Sequence, residues 1–232
     1  MPESPPDYAI QFGALRRFTR TQKPTPAQLG HCELCGVALA AERHHHLLHL
    51  DNHEVVCACN GCAILFQHEG SGGGKYRTVP DRFLSLQDFR MTDEQWNDLL
   101  IPVNMVYIFW DQQTGQPQAF YPGPAGATAS LLSLENWQEL VHDNPVLQAL
   151  EPDVEALLIN RVREAHEYFL VPIDACYQLV GLIRISWRGL SGGEAVWTTI
   201  AQFFAELRTK ASTQVARSAT LKGGESDAGS EL

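Results

Sequence analysis

Two C-x-x-C pairs with a histidine-rich stretch between them constrain this chain more than any other feature. "HCELCG" (31–36) carries Cys32 and Cys35, and "HHHLLHLDNHEVVCACNGC" (44–62) carries Cys57, Cys59 and Cys62. Five of the six cysteines and seven of the nine histidines lie between His31 and His68. A disulfide framework belongs to exported chains, and no signal-peptide pattern is visible, so crowding of this kind predicts metal or redox chemistry in a cytoplasmic protein.

A structural zinc takes four borderline or soft ligands at the corners of a tetrahedron. A C-x-x-C turn offers two thiolates at the right separation, and Gly36 after Cys35 suits the tight turn. The expected ligands are Cys32, Cys35, Cys59 and Cys62, with Cys57, His44, His45 and His46 as alternates. Zinc is the expected ion; the same thiolates suit iron, and the fifth thiol leaves an iron–sulfur cluster open. Between the pairs, Leu48 and Leu50, a turn at Asp51-Asn52, then Val55 and Val56 predict a hairpin. "CAILFQ" predicts a short helix whose N-terminus favours thiolates through its dipole. Knuckle, hairpin, then knuckle at a helix start is the plan of a treble clef, with the zinc ribbon as its near neighbour. On a strand His44 and His46 share a side and His45 points away. The histidines are then either a solvated edge or a second, open metal site suited to an ion such as nickel.

The rest of the chain predicts an α+β protein. The expected divisions are an extension at 1–25, the Cys/His module at 26–70, a glycine-rich hinge at 71–75, a mixed α/β domain at 76–211 and a disordered tail at 212–232. Residues 8–20 have apolar spacing that suits a short helix. Thr92 with Gln95, and Ser191 with Glu194, read as capping boxes opening helices. Residues 103–111 and 117–123 read as a hairpin around Thr114-Gly115. Residues 133–144 read as a helix, 168–172 as a strand, and 174–187 as a helix with Cys176, Leu179, Val180, Ile183 and Trp187 on one face. "VEALLINR" (154–161) fits strand or helix. "YPGPAGATAS" (121–130) reads as a small-residue loop, and "WRGLSGG" (187–193) as a helix–turn–helix junction. Glu151, Asp153 and Glu155 show no catalytic spacing.

Other classes are disfavoured. The net charge of −10 repels phosphate backbones, which argues against nucleic acid. No apolar run is long enough to span a membrane. "GSGGGK" (70–75) departs from a phosphate loop, with Glu69 before it and Tyr76 after the lysine.

Two resemblances follow from these motifs. The Cys/His segment resembles treble-clef zinc knuckles and is similar to the HNH endonucleases, in which "HHH" (44–46) would supply the water-activating histidine. That family usually has a histidine directly after the last cysteine, where this chain has Ala63. More broadly, "CELCG", "HHHLLHL", "VVCACNGCAILF", "IPVNMVYIFW", "FYPGPAGATASLL", "EPDVEALLINR", "VPIDACYQLVGLIRISWRGLSGG" and "FFAEL" resemble a poorly characterised family encoded beside actinobacterial-type, high-affinity uptake nickel–iron hydrogenases. The resemblance implies a hydrogenase-associated accessory protein for maturation, assembly or electron handling, with a hydrogenase subunit or assembly factor as partner. It implies no reaction.

Overall fold

The computed structural model describes residues 30–39, 44–67, 74–130, 132–189 and 192–223, with side chains as far as 211. The extension at 1–25, the segment 8–20, Ser191 of the second capping box and residues 71–73 of the hinge lie outside the described residues, as does 224–232 of the tail.

The chain is α+β and builds two antiparallel sheets. The smaller sheet has the order β2-β1-β3, from β1 (His44–His49), β2 (Glu54–Cys59) and β3 (Tyr76–Thr78), and α1 (Asn60–Phe66) follows β2 directly. The hairpin runs in the register His46↔Cys57 and Leu47↔Val56. Its third strand therefore comes from beyond the glycine run, with Leu47 opposite Thr78.

The larger sheet has the order β4-β9-β8-β5-β6-β7, with β4 (Leu84–Ser85), β5 (Met105–Asp111), β6 (Gln116–Gly123), β7 (Gly126–Ser130), β8 (Glu155–Asn160) and β9 (Glu167–Pro172). Side chains alternate across it. Met105, Tyr107, Phe109, Leu158, Phe169 and Val171 face α4 (Ile173–Ser186) and α5 (Gly193–Gly223). Val106, Ile108, Leu157, Ile159 and Leu170 face α3 (Leu134–Asp143) and the 3₁₀ turn Pro145–Ala149, meeting Trp137, Leu140 and Leu147. Both faces are covered, so all six residues of β8 are buried. A strand buried on both sides loses its polar alternation, which is why "VEALLINR" fits two elements by pattern.

Capping chemistry places α2 (Asp93–Asn97): Thr92 accepts from the Gln95 N–H, and the Gln95 side chain accepts from the Thr92 N–H. The buried face of α4 includes Cys176, Leu179, Val180 and Ile183, as expected, with Trp187 half-buried beyond its end. The turn into α5 needs glycine at position 192, where φ is +86° and a Cβ would stand 2.7 Å from a Val196 methyl.

One expectation is corrected. Residues 121–130 are not a loop: Tyr121 to Gly123 complete β6, and β7 pairs back along it with Gly123 opposite Gly126. Glycine and alanine pass in β7 because it is an edge strand, free of the packing demand that selects large β-formers inside a sheet. The last helix runs from Gly193 to Gly223.

Candidate metal centre

The two knuckles meet at one point. The Sγ atoms of Cys32, Cys35, Cys59 and Cys62 all lie within 4.8 Å of one another. A tetrahedron with metal–sulfur bonds of about 2.3 Å has edges of about 3.8 Å. The Cys35–Cys59 sulfur separation is 3.7 Å.

Local backbone chemistry sets this up. The Cys32 N–H donates to Val37 O at 2.8 Å and the Gly36 N–H to Cys32 O at 2.7 Å, closing the first knuckle. Gly36 has φ +77°, a left-handed conformation in which a Cβ is strained even though space is open around it. Cys59 is the N-cap of α1, and its sulfur accepts the Cys62 N–H at 3.4 Å. The helix start thus aims an N–H at a sulfur where negative charge is stabilised. Glu33 ties the knuckles together: its N–H donates to Cys57 O at 2.9 Å, and its carboxylate accepts from the Cys57 N–H at 3.0 Å.

The thiols divide sharply in acidity. Burial opposes ionisation of Cys32, but N–H donors from Cys59, Cys35 and Leu34 and the Cys35 thiol outweigh it, lowering the group to about 6. Cys62 is pushed up to about 12, by burial first and then by the neighbouring sulfurs. One thiolate forms readily and then resists the formation of others beside it. A cation at the centre removes that conflict, since a coordinating thiol is deprotonated outright. The donor set, its spacing and its N–H···S bonds therefore fit a four-thiolate ion.

The alternates separate from this centre. Cys57 groups with His44 and His46, their ligand atoms again within 4.8 Å. His45 points elsewhere and shares a hydrogen bond of 3.2 Å with the Asn60 side chain. His46 Nδ1 lies 2.5 Å from Asp174 Oδ2, in the first turn of α4. That contact, ahead of the opposing effect of burial, raises the imidazole above its ordinary value. Burial and then Glu33 push the Cys57 thiol up. Ala63, where the HNH pattern would place a histidine, is buried in the small core with Cys32, Leu39, Leu47 and Ala58.

A third cluster, His53, Asp111 and Asp153, is absent from the sequence reading. Asp111 accepts from the Gln113 and Thr114 N–H groups, and Asp153 accepts from the Gln112 N–H and from Arg77. His53 and Asp153 both have positive φ, 54° and 65°. These contacts moor the tip of the small hairpin to the β5–β6 turn, where Gln113 also donates to Leu50 O. The end of β5 and two turns supply the cluster, so no local spacing announces it. Glu155, wholly buried, receives a forked pair of hydrogen bonds from Arg82 and a third from the Glu151 N–H. The acidic run 151–155 is thus structural in part. Cys176 is fully buried on α4 and its thiol is raised by that burial, which makes it a core side chain.

Residues 31–211 match a family described as "Family of unknown function (DUF5947)". The chain belongs to that family. The match takes in both the four-thiol centre and the large sheet. No curated protein and no solved structure matches the chain. Among the described residues no helix is long and apolar enough to cross a membrane.

Proposed function

We propose that the chain is a metal-binding accessory protein in which Cys32, Cys35, Cys59 and Cys62 hold one zinc ion, and that the metal-fixed module docks on a protein partner. The convergence of four sulfurs at tetrahedral spacing carries this reading. Bound zinc supplies no redox chemistry; it closes two loops and fixes the hairpin between them. A docking role is supported by Val37, Ile64 and Leu65, which belong to the knuckle and helix of the module and are each at least half exposed. A nickel–iron hydrogenase subunit or assembly factor is the proposed partner, on the strength of the motif resemblance.

The iron form is the second reading. Cys35 is exposed at the rim of the centre, which gives an electron a short route outward. Elemental analysis with an absorption spectrum of protein purified without added metal decides between them. Zinc in a colourless protein is expected; a red or brown protein containing iron establishes the electron carrier. Cys35→Ala and Cys62→Ala are expected to release the ion, and full retention in both would sink the ligand set. Binding of a purified hydrogenase subunit to the loaded protein, lost in Ile64→Glu, tests the partner.

A further inference from the structure

We propose that His44, His46 and Cys57 form a second metal site, distinct from the four-thiol centre and open to solvent, for a late first-row divalent cation. The strand geometry assembles it. His44 and His46 are two apart on β1 and so share a face, and Cys57 is the register partner of His46 across the hairpin. The ligand atoms of all three lie within 4.8 Å of one another, and the two imidazoles meet edge to face with ring centres 5.1 Å apart.

Asp174 supplies the independent observation. A carboxylate only accepts hydrogen bonds, so His46 Nδ1 must carry the proton directed at it, across 2.5 Å. In the neutral ring that leaves the Nε2 lone pair free for a metal. A carboxylate fixing the tautomer of a histidine through its far nitrogen is the usual outer-shell device of metal sites. This carboxylate arrives from 128 residues away in sequence, so the pairing belongs to the tertiary fold rather than to the hairpin. Glu33, bonded to the Cys57 N–H, adds a second carboxylate beside the thiol.

The donor set fixes the class of ion. Two imidazoles and one thiolate select zinc, nickel, cobalt or copper over calcium or magnesium, which demand oxygen ligands. Exposure grades across the cluster, with His44 exposed and His46 and Cys57 half-buried. Three protein ligands with one side in water leave a coordination position for solvent or an incoming group. On binding, the Cys57 thiol gives its proton to solvent and its sulfur to the metal. The first centre is closed by four protein sulfurs; this one is built for exchange.

The test titrates cobalt(II) into the zinc-loaded full-length chain under anaerobic conditions, followed by absorption and by elemental analysis. Wild type is expected to keep its zinc and to gain about one cobalt ion per chain in a mixed nitrogen–sulfur environment. His44→Ala and Cys57→Ser are expected to lose the cobalt bands while retaining zinc; His44 is exposed, so its removal leaves the fold intact by circular dichroism. Asp174→Asn is expected to weaken cobalt binding by about 10- to 100-fold with zinc content unchanged, since it acts by positioning His46. Wild type that takes up no cobalt, or uptake equal in His44→Ala and Cys57→Ser, overturns the proposal. So does release of zinc by Cys57→Ser, which would place Cys57 in the first centre. A chain that purifies without zinc would instead sink the four-thiol reading, and cobalt bands lost in His44→Ala would still support the second site.

Discussion

The small sheet and the large sheet are stabilised by different physics. The large one is sealed on both faces, with fully buried side chains such as Leu157, Leu158, Ile159, Phe169 and Leu170 at its centre. Each such side chain contributes roughly 2 kcal/mol through burial. The core of the small one is Cys32, Leu39, Leu47, Ala58 and Ala63, with half-buried neighbours. A core of that size cannot offset the entropy of ordering two knuckles, a hairpin and a helix. A metal on the four sulfurs, as proposed, and contact with the larger neighbour would supply that ordering. On the proposed reading, one region is held by area removed from water, the other by coordination and docking.

The largest expected effect breaks this comparison at the metal. Stripping the ion with a chelator, or Cys62→Ala, removes a contribution on the order of 10 kcal/mol from the module. Hydrogen exchange should then show β2 and α1 losing protection while β5 and β8 keep theirs. Equal loss in both sheets would mean that the two regions fold as one unit.

The next effect lies in the large domain and owes nothing to metal. Arg82→Met leaves the buried Glu155 carboxylate without its forked partner, and removing one member of such a pair costs about 3 kcal/mol or more. Denaturant unfolding should show the loss equally in loaded and stripped protein. Gly36→Ala is smaller, about 1 kcal/mol from the left-handed backbone, and is expected only while the knuckle is ordered by its ion.

The smallest effect is electrostatic. Arg161, through a hydrogen bond and then its charge, holds the Asp93 carboxyl below its ordinary value. A lowered carboxyl stabilises the fold above its unfolded pKa of about 4 and loses that contribution as pH falls through the folded value. Asp93→Asn should therefore lower Tm slightly at neutral pH and not at all in strong acid; a larger drop in acid would reverse the sign of the argument.

Much of this arrangement was legible in sequence because it is local. The knuckles, the hairpin turn after Leu50, the Thr92–Gln95 cap and the apolar face of α4 each depend on residues within a turn or two of one another. What escaped is what the tertiary fold creates. β8 hides its identity because both its faces are buried, and β7 hides because an edge strand tolerates small residues. Cys57 and Cys59 share a face of β2, yet Cys57 groups with His44 and His46 while Cys59 joins the other three sulfurs, a division that spacing alone leaves open among five thiols. Asp174 meets His46, and His53 meets Asp111 and Asp153, only once the two sheets dock.

The hairpin belongs to both regions at once. Leu47 faces the sulfur-held core, while Leu48 is buried among the helices of the large domain, with Val55 beside it. Cutting the chain after the glycine run would bare that second face and strip β1 of its partner β3. An excised finger would therefore be a sticky fragment, and the natural unit of expression, crystallisation or transplantation is the whole span that begins at the first knuckle and ends on the last helix.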